Sequence, residues 1–235
     1  MAVRAALVLG VAGILAATVF GLFLRSTRAQ RDTVQVTGAA TERFESDVVK
    51  WSITISRHVP SDGVATGYGG LRADRSRVIE LLGAAGIPEE SVIVQPVSAN
   101  PRWDQFGSQT GFSLDQGLTV VAEGGGRELE AIALDPGPLL ESGVVLQYAR
   151  LEYFFSGIDE LKHSLLGQAT EDARRRAEEI AGGSGLAIDR IVAARAGVFQ
   201  ITEPFSTEVS DYGVHNTSTR TKEITVTVHA TFLLP

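Results

Sequence analysis

The stretch "RVIELLGAAGIPEESVIVQPVSANP", Arg77 to Pro101, changes its period partway along. It starts with the spacing of an amphipathic helix, breaks at Gly86-Ile87-Pro88, and resumes as alternating β-branched residues. Gly86 is expected to take the left-handed conformation that ends a helix, and Pro88 to prevent its continuation. Glu89, Glu90 and Ser91 then fill a polar turn before a strand over 92–99. The later stretch "RAEEIAGGSGLAIDRIV" repeats this order, and aligned on Gly86 and Gly185 the two connectors differ by a single residue. Two copies of a strand-helix-strand unit predict an α+β fold built by duplication, with helices packed on mainly antiparallel sheet.

Outward from this joint, "VQVTGAATERFESDVVKWSITIS" reads as two strands around a turn at Gly38, with Val34 and Val36, then Val49, Trp51, Ile53 and Ile55, alternating with polar neighbours. A helix is expected from about Asp62 to Ala85, on the face defined by Val64, Leu71, Val78 and Leu82, although Gly63, Gly67, Gly69 and Gly70 weaken its first half. A polar aromatic loop, residues 100–117, and the strand "LTVVAE" close the first half. The second half opens on "GGGRELEAIALDPGPLLESG", a helix interrupted by Pro136 and Pro138. After the strand "YARLEYFFS" comes the strongest helical pattern, Ile158 to Ala181, acidic at its start and with Arg174 to Arg176 toward its end, as the helix dipole prefers. The strand "DRIVAARAGVF", a Thr/Ser-rich loop to about Arg220 and the strand "KEITVTVHATFLL" complete the chain.

Residues 5–24 carry no charge, and twenty residues at 1.5 Å rise reach about 30 Å as a helix, the thickness of a bilayer core. The run exceeds a typical signal-peptide core, which favours an uncleaved anchor; cleavage after Ala29, with Thr27 at −3, is the alternative. Arg4 stands on one side and Arg25, Arg28 and Arg31 on the other, so charge alone does not orient the span. The expected organisation is thus an anchor in 1–31, a first α+β half in 32–123 and a second in 124–235. None of the 28 acidic residues and four of the 21 basic ones fall in 1–31, which leaves the body with 17 basic against 28 acidic residues. That acidic body disfavours nucleic acid. The absence of cysteine removes disulfides, thiolate nucleophiles and Cys-type zinc sites.

Candidate chemistry is sparse. His58, His163, His215 and His229 are isolated, with no HxH or HExxH spacing, so no metal is expected. "GGG" at 124–126 lacks the Lys-Ser/Thr of a phosphate loop, and "GGSG" at 182–185 fails the nucleophile elbow because Leu186 stands where glycine is required. The pairs Glu89-Glu90 and Glu178-Glu179 read as solvated charge, and "RRR" at 174–176 as partners of nearby acids. The aromatic loop is different: Trp103, Phe106 and Phe112 together suggest an oligomer or partner contact, with packing onto their own domain as the alternative. Phe205 and Tyr212 in the loop 200–219 form a second candidate. No catalytic residue or cofactor is assigned.

Four segments, "VQVTGAATERFESDVVKW", "LLGAAGIPEESVIVQPVSANP", "DARRRAEEIAGGSGLAIDRIV" and "EITVTVHATFLL", in this order over residues 34–234, resemble the SIMPL-domain family of bacterial periplasmic immunogenic and oxidative-stress-linked proteins. The Pro-interrupted helix around Leu134 to Leu140 departs from the pattern. The resemblance implies an extracytoplasmic body, in the periplasm on an inner-membrane anchor or cleaved and secreted, and self-association into a ring-like or channel-like homo-oligomer. It brings no established catalytic residues. The function expected is a non-enzymatic envelope scaffold or stress-protective component, with a periplasmic binding module using loop 100–117 as the alternative.

Overall fold

The computed structural model describes residues 17–20 and 32–235. Of the expected span 5–24, residues 17–20 are helical and exposed, and the rest lies outside the described residues. Among the described residues no helix is long and apolar enough to cross a membrane.

The strands and helices run β1 Thr33–Glu45, β2 Val48–Val59, α1 Val64–Ala84, a 3-10 turn Glu89–Ser91, β3 Val92–Val94, β4 Ser98–Trp103 and β5 Gln109–Ala122. They continue α2 Arg127–Leu134, α3 Gly137–Glu141, β6 Leu146–Phe154, α4 Ile158–Gly183, β7 Ile191–Ala196, β8 Gln200–Thr202, β9 Val214–His215 and β10 Thr221–Leu233. The fold is mixed α+β: β10 with β7 and β8, β2 with β5 and β6, and β5 with β3 and β4 pair antiparallel, and β8 with β9 parallel.

The helix ends at Gly86 and Gly185 close as their sequences predict. Gly86 and Gly185 hold φ of 82° and 73°. The next amide donates back across the glycine in each case, Ile87 to the Leu82 carbonyl at 3.0 Å and Leu186 to the Ala181 carbonyl at 2.9 Å. This long return bond satisfies a carbonyl that the helix end would otherwise orphan. The strand that follows each joint pairs antiparallel with a longer one, β3 with β5 and β7 with β10.

The chain divides into two compact units. The larger comprises Ala40–Gln168 and Val198–Val226. Its sheet places β5 beside β2, β6 outside β2, and β3 and then β4 along the other edge of β5. Val49, Trp51, Ile53 and Ile55 on β2 and Leu114, Leu118 and Val120 on β5 face Leu71, Val78 and Leu82 of α1 in one buried cluster. The buried Asp74 of α1, 1% exposed, is held in that setting by Arg57 of β2 and by Arg77 one turn along the helix. Two cations on one buried carboxylate supply the partners without which its burial would be strongly unfavourable. The expected helix 124–143 splits into α2 and α3, with Pro136 capping the second and Pro138 in its first turn, where a missing N–H removes no bond.

The second unit gathers the chain up to Ala39 with Ala169–Gly197 and Thr227–Pro235. Val34, Ala173, Ala177, Ala230 and Phe232 form its core. Gly38 is not a turn, as its sequence setting suggests, but lies within β1, and the turn comes at Ser46-Asp47. Its role is close approach: a Cβ there would stand 2.8 Å from the Ala173 Cα and nearer still to the Ala169 carbonyl and the Ala173 amide. Ala39 N–H then donates to the Asp172 carboxylate at 2.9 Å, fastening strand to helix.

Candidate contact surface and a buried cationic cluster

Residues 100–117 are not a loop. They belong to a hairpin of β4 and β5 whose turn is Asp104–Ser108. The Asp104 carboxylate accepts the amides of Phe106 at 2.8 Å and Ser108 at 2.9 Å, and Gly107 supplies the positive φ of 78°. A short carboxylate that folds back onto following amides is a turn-forming device, and it sets both strands in register. Trp103, 61% exposed, and Phe106, 82% exposed, share this tip. Phe112 does not join them. It opposes Val59 and packs on the core of the larger unit, because Phe112, Leu114, Leu118 and Val120 alternate onto the inner face of β5. All six residues of β4 are exposed.

Phe205 and Tyr212, 84% and 98% exposed, lie on the segment between β8 and β9, so the expected loop 200–219 holds two short strands. The segment is braced. The Gln200 side chain donates to the Ser210 carbonyl at 2.7 Å and accepts the Val214 amide at 2.9 Å. Phe205 takes a left-handed φ of 65° beneath the Arg43 guanidinium, 4.7 Å from the ring centroid, and Arg43 pairs with Glu223 at 2.5 Å. An aromatic held this way loses little freedom on contact, which favours binding.

A cluster that sequence reading passed over sits in the larger unit. Lys222, 2% exposed, donates to Ser46 Oγ at 2.8 Å, the Tyr153 carbonyl at 2.9 Å and the Thr219 carbonyl at 2.6 Å. Arg220 donates to the Gly125 carbonyl at 2.7 Å and pairs with Glu130 at 2.5 Å, while the Tyr153 hydroxyl donates to the same carboxylate at 2.6 Å. Burial, aided by the Arg220 charge, pushes Lys222 down to about 8. Burial and the Glu130 hydrogen bond push Tyr153 up to about 12. Burial works against ionising Glu130, but hydrogen bonds from Arg220 and Tyr153 hold its carboxyl below the usual range. Shifted groups of this kind occur in active sites and in structural networks alike. In its ammonium form Lys222 has all three protons engaged by protein acceptors, and the cluster ties the Ser46 turn, β6 and the segment before β10 together. Lys222 shares the parity of Ile224, Val226 and Val228, which are buried on β10; that alternation was the available signal.

On β2 and β5, Asp115 accepts from Ser56 at 2.6 Å, Ser113 at 3.0 Å and Asn100 at 3.1 Å. Burial opposes its ionisation, but these donors and the nearby His58 hold the carboxyl below its ordinary value. The Ser56 hydroxyl is thereby directed at a carboxylate, a cross-link between strands. Among the described residues no three His, Cys, Asp or Glu side chains gather as a metal-ion site.

No curated protein matches the chain. The family model SIMPL, described as a protein of unknown function (DUF541), matches residues 34–232, from within β1 to within β10. The match spans most of the chain and includes both glycine-closed joints, so the chain belongs to the SIMPL family.

Proposed function

We propose that this SIMPL protein is a non-enzymatic, self-assembling envelope component, a scaffold or stress-protective element, anchored to the inner membrane through residues 5–24 with its body in the periplasm. One observation supports it above others: Trp103 and Phe106 stand exposed on a hairpin tip that Asp104 holds rigid, beside a strand edge that is exposed along its whole length. Rigid aromatics at a protruding tip are the residues that dominate protein interfaces, and an uncovered edge offers unpaired backbone groups to a second chain. The full chain extracted in detergent is expected to show a native mass of several subunits. Joint replacement of Trp103 and Phe106 by Ala should shift it toward the monomer, weakening assembly by roughly several hundredfold if each ring contributes about 2 kcal/mol. A wild-type particle that stays monomeric when concentrated refutes assembly, and a reporter fused at Pro235 that is active only in the cytoplasm refutes the topology.

The second reading is a binding module that adds an extended peptide or envelope polymer to β4, favoured by the exposure of all six of its residues. A monomeric wild type that captures such a ligand through Trp103 would select it.

A further inference from the structure

In the smaller unit, β10 runs between β1 and β7, and their shared face carries a groove of about 330 Å³. Two rows of side chains form it. His229 lies opposite Arg195 of β7, and its Nδ1 is hydrogen-bonded at 2.8 Å to the Thr37 hydroxyl of β1. The next row on β10, Thr231 opposite Ala193, is low, and Gln35 stands two residues before Thr37. Tall side chains beside a row ending in alanine make the concavity. None of the lining residues is acidic, in a protein of net charge −7. Among the described residues Arg195, like Arg72, Arg75, Arg102 and Arg190, forms no salt bridge, and it is the only arginine among the residues that line this groove.

We propose that this groove binds a small oxyanion, a phosphate monoester or a carboxylate, with Arg195 as the principal donor and His229 and Thr231 beside it. A guanidinium presents a planar fork that matches two oxygens of such a group. Thr37 fixes the imidazole through Nδ1, which leaves Nε2 as the ring nitrogen available to a ligand. The volume matches the lower end of small-ligand sites. The site shares no residue with the hairpin tip, so its test stands apart from that of self-assembly.

The chain has four histidines, so ring signals of histidine-labelled full-length protein in detergent give a sparse probe, with His229 assigned through His229→Gln. Inorganic phosphate and acetate are titrated separately at fixed pH and ionic strength. The expected result is a saturable shift of the His229 signals alone. Arg195→Gln should weaken it at least roughly tenfold and Arg195→Lys by less, with the other three histidines unchanged as the control for folding. Saturation by phosphate assigns a phosphate-type ligand, and saturation by acetate alone a carboxylate. The proposal is overturned if no shift saturates below roughly 50 mM, if all four histidines move together, or if Arg195→Gln leaves the shift unaltered.

Discussion

Replacing Gly38 by Ala is expected to destabilise the protein by about 3 kcal/mol or more, although Ala is a conservative change and the position lies in an ordinary strand. The new methyl group would meet backbone rather than a movable side-chain end: the Ala173 Cα at 2.8 Å, and the Ala169 carbonyl and Ala173 amide closer still. Ordinary contact would need strand and helix to separate by about an ångström or more. Separation would loosen Val34 and Phe232 from the alanine face of α4 and lengthen the Ala39 to Asp172 bond. Equilibrium denaturation in urea measures the loss. Ala173→Gly in the Gly38→Ala background should give no rescue, because the clash is with main-chain atoms that every residue at 173 carries. A Gly38→Ala protein within about 1 kcal/mol of wild type would show that the approach is not close in solution.

Gly38 also marks the limit of what sequence conveys. A lone glycine in a strand pattern denotes either a turn or a close approach, and the partner that decides between them lies far along the chain; Asp172 is 133 residues from Ala39. Gly86 and Gly185 were readable because their setting is local: a periodic helix before, an aliphatic residue after, and one backbone conformation that closes the turn. Pro136 and Pro138 divided a helix for equally local reasons. The hairpin of β4 and β5 passed for a loop because its turn depends on the Asp104 side chain and because Gln116 interrupts the apolar alternation from Phe112 to Val120. Of the five aromatic candidates, Trp103, Phe106, Phe205 and Tyr212 are exposed as a contact role requires, while Phe112 followed the strand parity into the core. The Lys222 cluster collects Ser46, Gly125, Glu130, Tyr153 and Arg220 from five segments, and no local pattern announces such a meeting.

Lys222→Met is expected to be nearly neutral for stability at pH 7 and to lose about 3 kcal/mol or more near pH 10. Two effects oppose each other. The substitution strips three acceptors, Ser46 Oγ and the carbonyls of Tyr153 and Thr219, at about 1 kcal/mol or more each. It also removes a buried charge. Lys222 titrates near 8 in the fold against 10.5 ordinarily, so between these values the unfolded chain binds the proton and the native one does not. Wild-type stability therefore rises as pH climbs from 8 to 10.5, by up to about 3 kcal/mol, and below 8 that penalty is present in full. Methionine escapes the penalty at pH 7, which offsets the lost hydrogen bonds; near pH 10 wild type has largely escaped it too, and the loss stands open. Tyr153 acts with the opposite sign: raised to about 12, it keeps its proton in the fold where the unfolded chain has released it, so stability falls from pH 10 toward 12. The combined contribution of Lys222 and Tyr153 to stability should therefore peak near pH 10. Urea titrations at pH 7, 8.5, 10 and 11 separate the contributions, with Lys222→Met lacking the rise and Tyr153→Phe lacking the fall. Wild-type and Lys222→Met curves that run parallel from pH 7 to 10 would mean that Lys222 does not change its charge in the fold within that window.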